Sequence, residues 1–286
     1  MENKYKSGVW KKICINNWEE FVEQIGFLGT REWIFRGQGN SQWEIESSIT
    51  RTIKYIVGLL KLNDKEKQDK ISSIERQALD IFKSQIHLYI ENIPSNLENL
   101  ELISIMQHYG TPTRLVDWTY SPFIAAFFAT EATNNDCAIY ALNAKKIKEL
   151  TDSKVIRSFN PQKDIRSIKY KTLIFENNIE PFFIMYEPSY KNERIARQQG
   201  LFLVPSTVEP SIDRILEYYN VNSGMINNDD SAIAYKYIIK KEAIVGFLNN
   251  LQRINILHEV MYPGIDGFCK SLKYKLLMPE VDYLIK

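Results

Sequence analysis

Apolar residues recur at regular spacings along most of this 286-residue chain. Trp18, Phe21, Val22 and Ile25 fall on one face of a helix, with Asn16 or Asn17 placed to cap it. Trp33-Ile34-Phe35 predicts a short strand, and Arg36 to Asn40 a turn. Trp43-Glu44-Ile45-Glu46 alternates and predicts a second strand. Asn63 to Lys70 is a charged block, either a loop tip or the exposed first turns of a helix. Ile71, Ile74, Ala78, Ile81, Phe82, Ile86 and Ile90 then mark a long amphipathic helix, and Leu97 to His108 predicts another.

The densest run of special residues is Gln107 to Pro122. Gly110 and Pro112 punctuate a turn. Thr113 to Val116 has strand chemistry, with branched residues around Arg114. Asp117, Trp118 and Thr119 stand at its exit. Ser121 reads as an N-cap and Pro122 as the first helical position. The helix that follows, Phe123 to Ala132, is apolar on nearly every face, as a buried helix must be. Arg114, Asp117 and Thr119 are thus delivered to the end of a strand against a buried element, where charge has to be paired or used.

Asp136 to Asn143 predicts a core strand, whereas Ala144 to Asn178 is basic and shows no clear period. Ile179 to Tyr186, Leu201 to Val204 and Ala234 to Ile239 read as further strands. Helices are expected at Asn192 to Gln199 (stopping at Gly200), Ser211 to Tyr219, Lys241 to Leu251, Asn255 to Tyr262 and Gly264 to Tyr274. No repeat or low-complexity linker divides the chain. The expected fold is α+β, a mixed or antiparallel sheet with inserted helices. It forms one domain over 1–286, with a helical insertion at about 52–108.

Composition changes this picture little. Apolar content is 44%, charged content 25% and net charge +1. That balance gives no support to a protein that coats nucleic acid through bulk charge. Cys14, Cys137 and Cys269 are odd in number and widely spaced, so they outline neither a disulfide framework nor a metal cage. Histidine occurs at 87, 108 and 258, and no metal site is expected. Met1 to Lys12 shows no signal-peptide pattern, and no apolar run has membrane length. The expectation is a cytoplasmic protein that does not engage membranes.

Several residues could carry chemistry. Arg36, followed by Gly37 and Gly39, could anchor an anion where backbone can approach a ligand closely, or could pair with a buried acid. Gly37-Gln38-Gly39 has the spacing of neither the dinucleotide nor the P-loop pattern. His108 could act as a general base or as a helix-end donor. Arg114 and Asp117, three apart on a strand, face opposite sides. Arg194, Arg197, Gln198 and Gln199 form a polar cluster between two apolar strands and could line a pocket. No serine elbow or Cys–His pair supports nucleophilic catalysis.

Four blocks carry a resemblance. Phe35-Arg36-Gly37-Gln38, with Trp43 and Arg51, resembles the signature of the FRG-domain family. Gln107 to Thr119, with Ala125, Phe128 and Ala129, is similar to that family's second block. Arg194 to Phe202 is similar to its third, and Tyr262 to Gly267 to its closing segment.

The arrangement also resembles, more distantly, the ADP-ribosyltransferase fold. That resemblance implies an NAD-consuming transferase acting on a macromolecular acceptor, protein or nucleic acid, with NAD as substrate and no metal. It further implies a possible toxin in phage defence, with an antitoxin or regulatory partner. Arg36 would match the first-strand element, Asp117 and Thr119 the second. Glu193 or Gln199 would stand near the third, where no glutamate lies inside the strand. These five form the candidate catalytic set. Arg36, Gly37, Gln38, His108, Tyr109, Arg114, Trp118, Arg194 and Gln198 form the candidate NAD-binding set, with Tyr120 as a further stacking ring. A non-catalytic phosphate- or nucleotide-binding module and a nuclease-like enzyme are the alternatives.

Overall fold

A computed structural model describes residues 9–28, 32–58, 62–91, 97–159, 181–208, 211–219 and 232–277. Residues 160–178, expected to lack a period, and the first two residues of the strand expected from Ile179 lie outside them. Seven strands form one mixed sheet: β1 (Lys11–Ile15), β2 (Trp33–Gln38), β3 (Val116–Thr119), β4 (Cys137–Asn143), β5 (Phe183–Tyr186), β6 (Gly200–Pro205) and β7 (Ala234–Ile239). Their order across the sheet is β1-β7-β4-β2-β3-β6-β5. β1 runs parallel to β7, and every other neighbouring pair is antiparallel. This is the expected class, a mixed sheet with inserted helices.

Helices cover both faces, which is why β4 is apolar at successive positions rather than at alternate ones. Cys137, Ile139 and Ala141 point into one core with α1 (Trp18–Gly26), α5 (Pro122–Thr130) and α9 (Ile244–Arg253). Ala138, Tyr140 and Leu142 point into the other, with α4 (Asn99–His108), α6 (Ala144–Phe159) and α8 (Ile212–Tyr218). Between β2 and β3 the chain makes α2 (Ser48–Gly58), α3 (Asp64–Gln85) and α4. The charged block at 63–70 starts α3. Asn63 accepts from the Glu66 N–H, and Glu66 reaches back to the Asn63 N–H, closing a capping box.

α5 begins as its sequence requires. The Ser121 hydroxyl accepts the Ile124 N–H at 3.3 Å, and Pro122 is the first helical residue. The helix lies directly on β2. A Cβ built on Gly37 would stand 1.9 Å from the Ala125 carbonyl oxygen and 2.5 Å from the Ala129 nitrogen. Close backbone approach at Gly37 therefore serves helix–sheet packing, and Gly37 also lines the smaller of the two cavities of the candidate site. Gly37→Ala must push α5 off the sheet. A loss of about 1–3 kcal/mol or more is expected in urea unfolding, and unchanged stability would disprove this packing role.

Three expectations need correction, and two elements are new. Trp43 to Glu46 forms no strand. Its backbone is satisfied elsewhere: the Trp43 carbonyl accepts from the Tyr140 hydroxyl, the Glu44 carbonyl from Gln38 Nε2, and the Ile45 N–H donates to Asp213. The strand expected at Thr113 to Val116 begins at Val116, because the Thr113 and Arg114 N–H groups donate to Ser48 and Glu75 side chains instead. β1 and α2 were not anticipated. The left-handed residue after the helix at 193 is Gln199, with φ 46°, not Gly200.

Candidate functional site

β2 and β3 meet at a single residue pair, Phe35 opposite Thr119. Beyond it β2 stays paired with β4 and β3 with β6, and the sheet is split between them. Arg36 spans the split, its Nη1 donating to the Asp117 carbonyl at 2.6 Å. Two cavities open here, of about 420 Å³ and 240 Å³. Arg36, Asp117, Arg194 and Gln198 line both, so the two are lobes of one cleft. The larger lobe also carries Arg51, Gln107 and His108. The smaller is edged by Phe35, Phe128 and Tyr262.

Each wall residue is held by its own element. Gln107, at the end of α4, donates to one Asp117 carboxylate oxygen at 2.9 Å and accepts from the Thr113 hydroxyl. A carboxylate can only accept, so it dictates which end of the Gln107 amide faces it. Thr119 donates to the Gln198 carbonyl at 2.8 Å, tying β3 to the turn after α7 (Glu193–Arg197). Gln198 Nε2 donates to the Met261 carbonyl at 2.9 Å, which fixes that turn to α10 (His258–Met261). The Arg194 guanidinium lies 5.1 Å from the Tyr262 ring centre, a cation–π distance. The Tyr262 hydroxyl donates to Glu131 at 2.8 Å.

The electrostatics follow from that crowding. Burial lowers the Arg36 pKa from its ordinary value; the Asp117 charge acts against this, and the nearby Arg51 charge adds to it. Arg36 Nε is buried and makes no hydrogen bond. Burial, and then the Arg194 charge, lowers the pKa of His108. Burial, then the Glu131 charge, raises that of Tyr262.

The structure brings together Arg36, Asp117, Thr119, His108, Arg194 and Gln198 from the candidate sets. It turns others away. Arg114 is 2% exposed and belongs to the core: its Nη2 and Nε lie 2.5 and 2.7 Å from Glu75 Oε2. It is the buried ion pair that the sequence left open for Arg36. Gln38 is buried and spends its amide N–H on the Glu44 carbonyl. Trp118 is 3% exposed and packs in the core, reaching the cleft at the edge of the smaller lobe. Tyr109 is 68% exposed and lines neither lobe; Tyr120 also lies outside, its hydroxyl donating to Glu187.

Glu193 and Gln199 also lie outside the cleft wall. Glu193 pairs with Arg197 one helical turn on, at 2.6 Å, and is 63% exposed. Gln199 is exposed, and its carbonyl accepts the Tyr120 N–H. Glu193→Gln is therefore expected to cost well under about 1 kcal/mol and to leave ligand binding unchanged. Loss of binding in that variant, measured by calorimetry, would show that Glu193 reaches the ligand after all. The sequence reading passed over Arg51, Gln107 and Tyr262 as site residues, although all three stand inside the recognised blocks.

Fold and site define an α+β protein with an arginine-lined cleft in a split mixed sheet. Residues 31–137 match the family model of the FRG domain. Arg36, Arg51 and Asp117 fall inside the matched span, and Arg194, Gln198 and Tyr262 beyond it. No curated protein and no solved structure matches the chain. Among the described residues no helix is long and apolar enough to cross a membrane.

Proposed function

We propose that the cleft binds NAD and that the chain, an ADP-ribosyltransferase-like protein, moves ADP-ribose onto a macromolecular acceptor. The observation that carries this reading is the sharing of Arg36, Asp117, Arg194 and Gln198 by the two lobes. Residues from separate blocks of the sequence converge on one elongated space, cationic at one end and edged with rings at the other. Its size falls in the range of small-molecule and cofactor sites. A phosphate-bearing part suits the arginines, and a planar ring suits Phe35, Phe128 and Tyr262.

The reaction breaks the bond between ribose C1′ and the nicotinamide nitrogen. Nicotinamide leaves with the bonding electrons, and the acceptor's nucleophile bonds to C1′. The acceptor's proton passes to a carboxylate or to solvent. Charge builds on the ribose as the bond opens, and a fixed negative group beside it lowers the barrier. Asp117 is the carboxylate available for that. Action as a toxin in phage defence, restrained by an antitoxin or regulatory partner, belongs to the same proposal and rests on family resemblance.

A second reading, binding of a phosphorylated nucleotide without turnover, is favoured by one feature. The cleft is rich in cations and poor in acids, and Glu193 points away from it. Incubation with NAD labelled in its adenylate half and a cell lysate separates the two. Label in protein or in RNA supports transfer. Calorimetric binding of NAD without label favours the second reading, and absence of both overturns the NAD proposal.

A further inference from the structure

Two arginines elsewhere in this chain have carboxylate partners: Arg114 has Glu75, and Arg197 has Glu193. The three on the larger lobe do not. Among the described residues, Arg36, Arg51 and Arg194 make no ion pair. Arg36 and Arg51 each spend one N–H on a carbonyl, of Asp117 and Glu46, at 2.6 and 2.5 Å. Arg194 rests on the Tyr262 ring. The two acidic side chains of the wall are engaged by other groups, Glu46 by Lys54 and Asp117 by Gln107. Three guanidiniums with unspent donors therefore share one space, and Arg36 and Arg51 are close enough for each charge to act on the other.

Three arginines face two carboxylates here, Asp117 opposing the Arg36 charge and Glu46 taken by Lys54, so the lobe keeps an excess of positive charge that an entering anion relieves. Each guanidinium presents forked donors that match pairs of phosphate oxygens. Three forks around a lobe of about 420 Å³ suit two joined phosphates, which present more acceptor oxygens than one. We infer that the larger lobe is a diphosphate site in which Arg51 and Arg194 act together with Arg36. This deepens the reading of the cleft as a nucleotide site and does not require turnover. It also sets the direction of the ligand, with its phosphates in the larger lobe and a ring in the smaller.

Calorimetry on the whole chain, with inorganic pyrophosphate and inorganic phosphate as probes, tests the inference. Pyrophosphate is expected to bind at least about tenfold more tightly than phosphate, and Arg51→Ala to weaken it about tenfold or more. Arg51 is exposed, so its removal leaves the fold intact, which a melting curve checks. Arg51→Lys should recover part of the loss, because an ammonium keeps the charge but not the fork. Equal affinity for the two probes, or pyrophosphate binding in Arg51→Ala as tight as in the wild type, overturns the inference. Pyrophosphate binding by a protein that ignores NAD upholds the diphosphate site and defeats the NAD proposal. NAD bound equally by the wild type and Arg51→Ala does the reverse.

Discussion

Glu75→Ala is expected to destabilise the protein by about 3–5 kcal/mol, because it strands a buried guanidinium. Glu75 and Arg114 are 3% and 2% exposed. One carboxylate oxygen takes the Arg114 side chain, and the other takes the Arg114 backbone N–H at 3.1 Å. Nη1 reaches the Pro205 and Ser206 carbonyls at 3.3 Å. The pair thus joins α3, the approach to β3 and the end of β6. Replacing both partners by leucine removes both charges, and most of the lost stability should return. Recovery should be incomplete, because the two carbonyls lose their donor. Urea unfolding of the single and double variants measures this. A single-variant loss under about 1 kcal/mol would mean that the pair does not lock these elements. Pyrophosphate or NAD binding per folded molecule should not change, since Arg114 lies behind the site.

The sequence alone could not place this pair. Glu75 sits in α3 on the stripe of Ile71, Ile74, Ala78 and Leu79. An acid at such a position demands a partner, but nothing local says which arginine supplies it. The partner lies 39 residues on, across α4. The same limit explains Trp43 to Glu46. Its alternation is genuine, yet its backbone bonds go to Asp213 and to Gln38 and Tyr140 side chains rather than to a strand. β1 escaped notice for another reason. Its Lys11-Lys12-Ile13-Cys14-Ile15 sequence has little alternation, and the strand exists because β7, near the other end of the chain, offers it an edge.

Some local chemistry was legible. Ser121 and Pro122 start α5, the apolar run after them is buried, and Asn17 caps α1, whereas the capping box of Asn63 and Glu66 and the cap at Ser211 were not read from the sequence. The Arg36, Asp117 and Gln199 blocks were expected to converge, because polar residues beside core strands need a shared purpose; they do, with Gln198 rather than Gln199 on the wall. Facing direction was harder to read. Glu193 and Gln199 belong to the right block but point outward, since α7 spans five residues and Gln199 turns left-handed before β6. Gln198, beside them, points inward.

Asp117→Asn carries the largest expected effect on activity. In the wild type one carboxylate oxygen accepts from Gln107, and the other makes no hydrogen bond among the described residues. Asparagine keeps the shape and can still accept the Gln107 N–H, so the cleft wall should stay in place. Stability should change by less than about 1 kcal/mol, as for a substitution that leaves no buried group unpaired. What disappears is the negative charge beside the ribose. If that charge steadies the opening glycosidic bond, transfer at saturating NAD should fall by about 10²-fold or more, which is about 2.7 kcal/mol of barrier at 1.36 kcal/mol per decade. NAD should bind as tightly as before or more tightly, because a charge that repels the diphosphate has gone. A fall in kcat with Kd unchanged or lower is therefore the expected pattern. Weaker binding with kcat intact would make Asp117 a ligand contact rather than the acid of the reaction. Unchanged transfer would remove Asp117 from the chemistry. The remaining acid on the wall is Glu46, already joined to Lys54, so Glu46→Gln would then be the next variant to measure, and transfer unchanged in both would mean that no wall carboxylate takes part in the reaction.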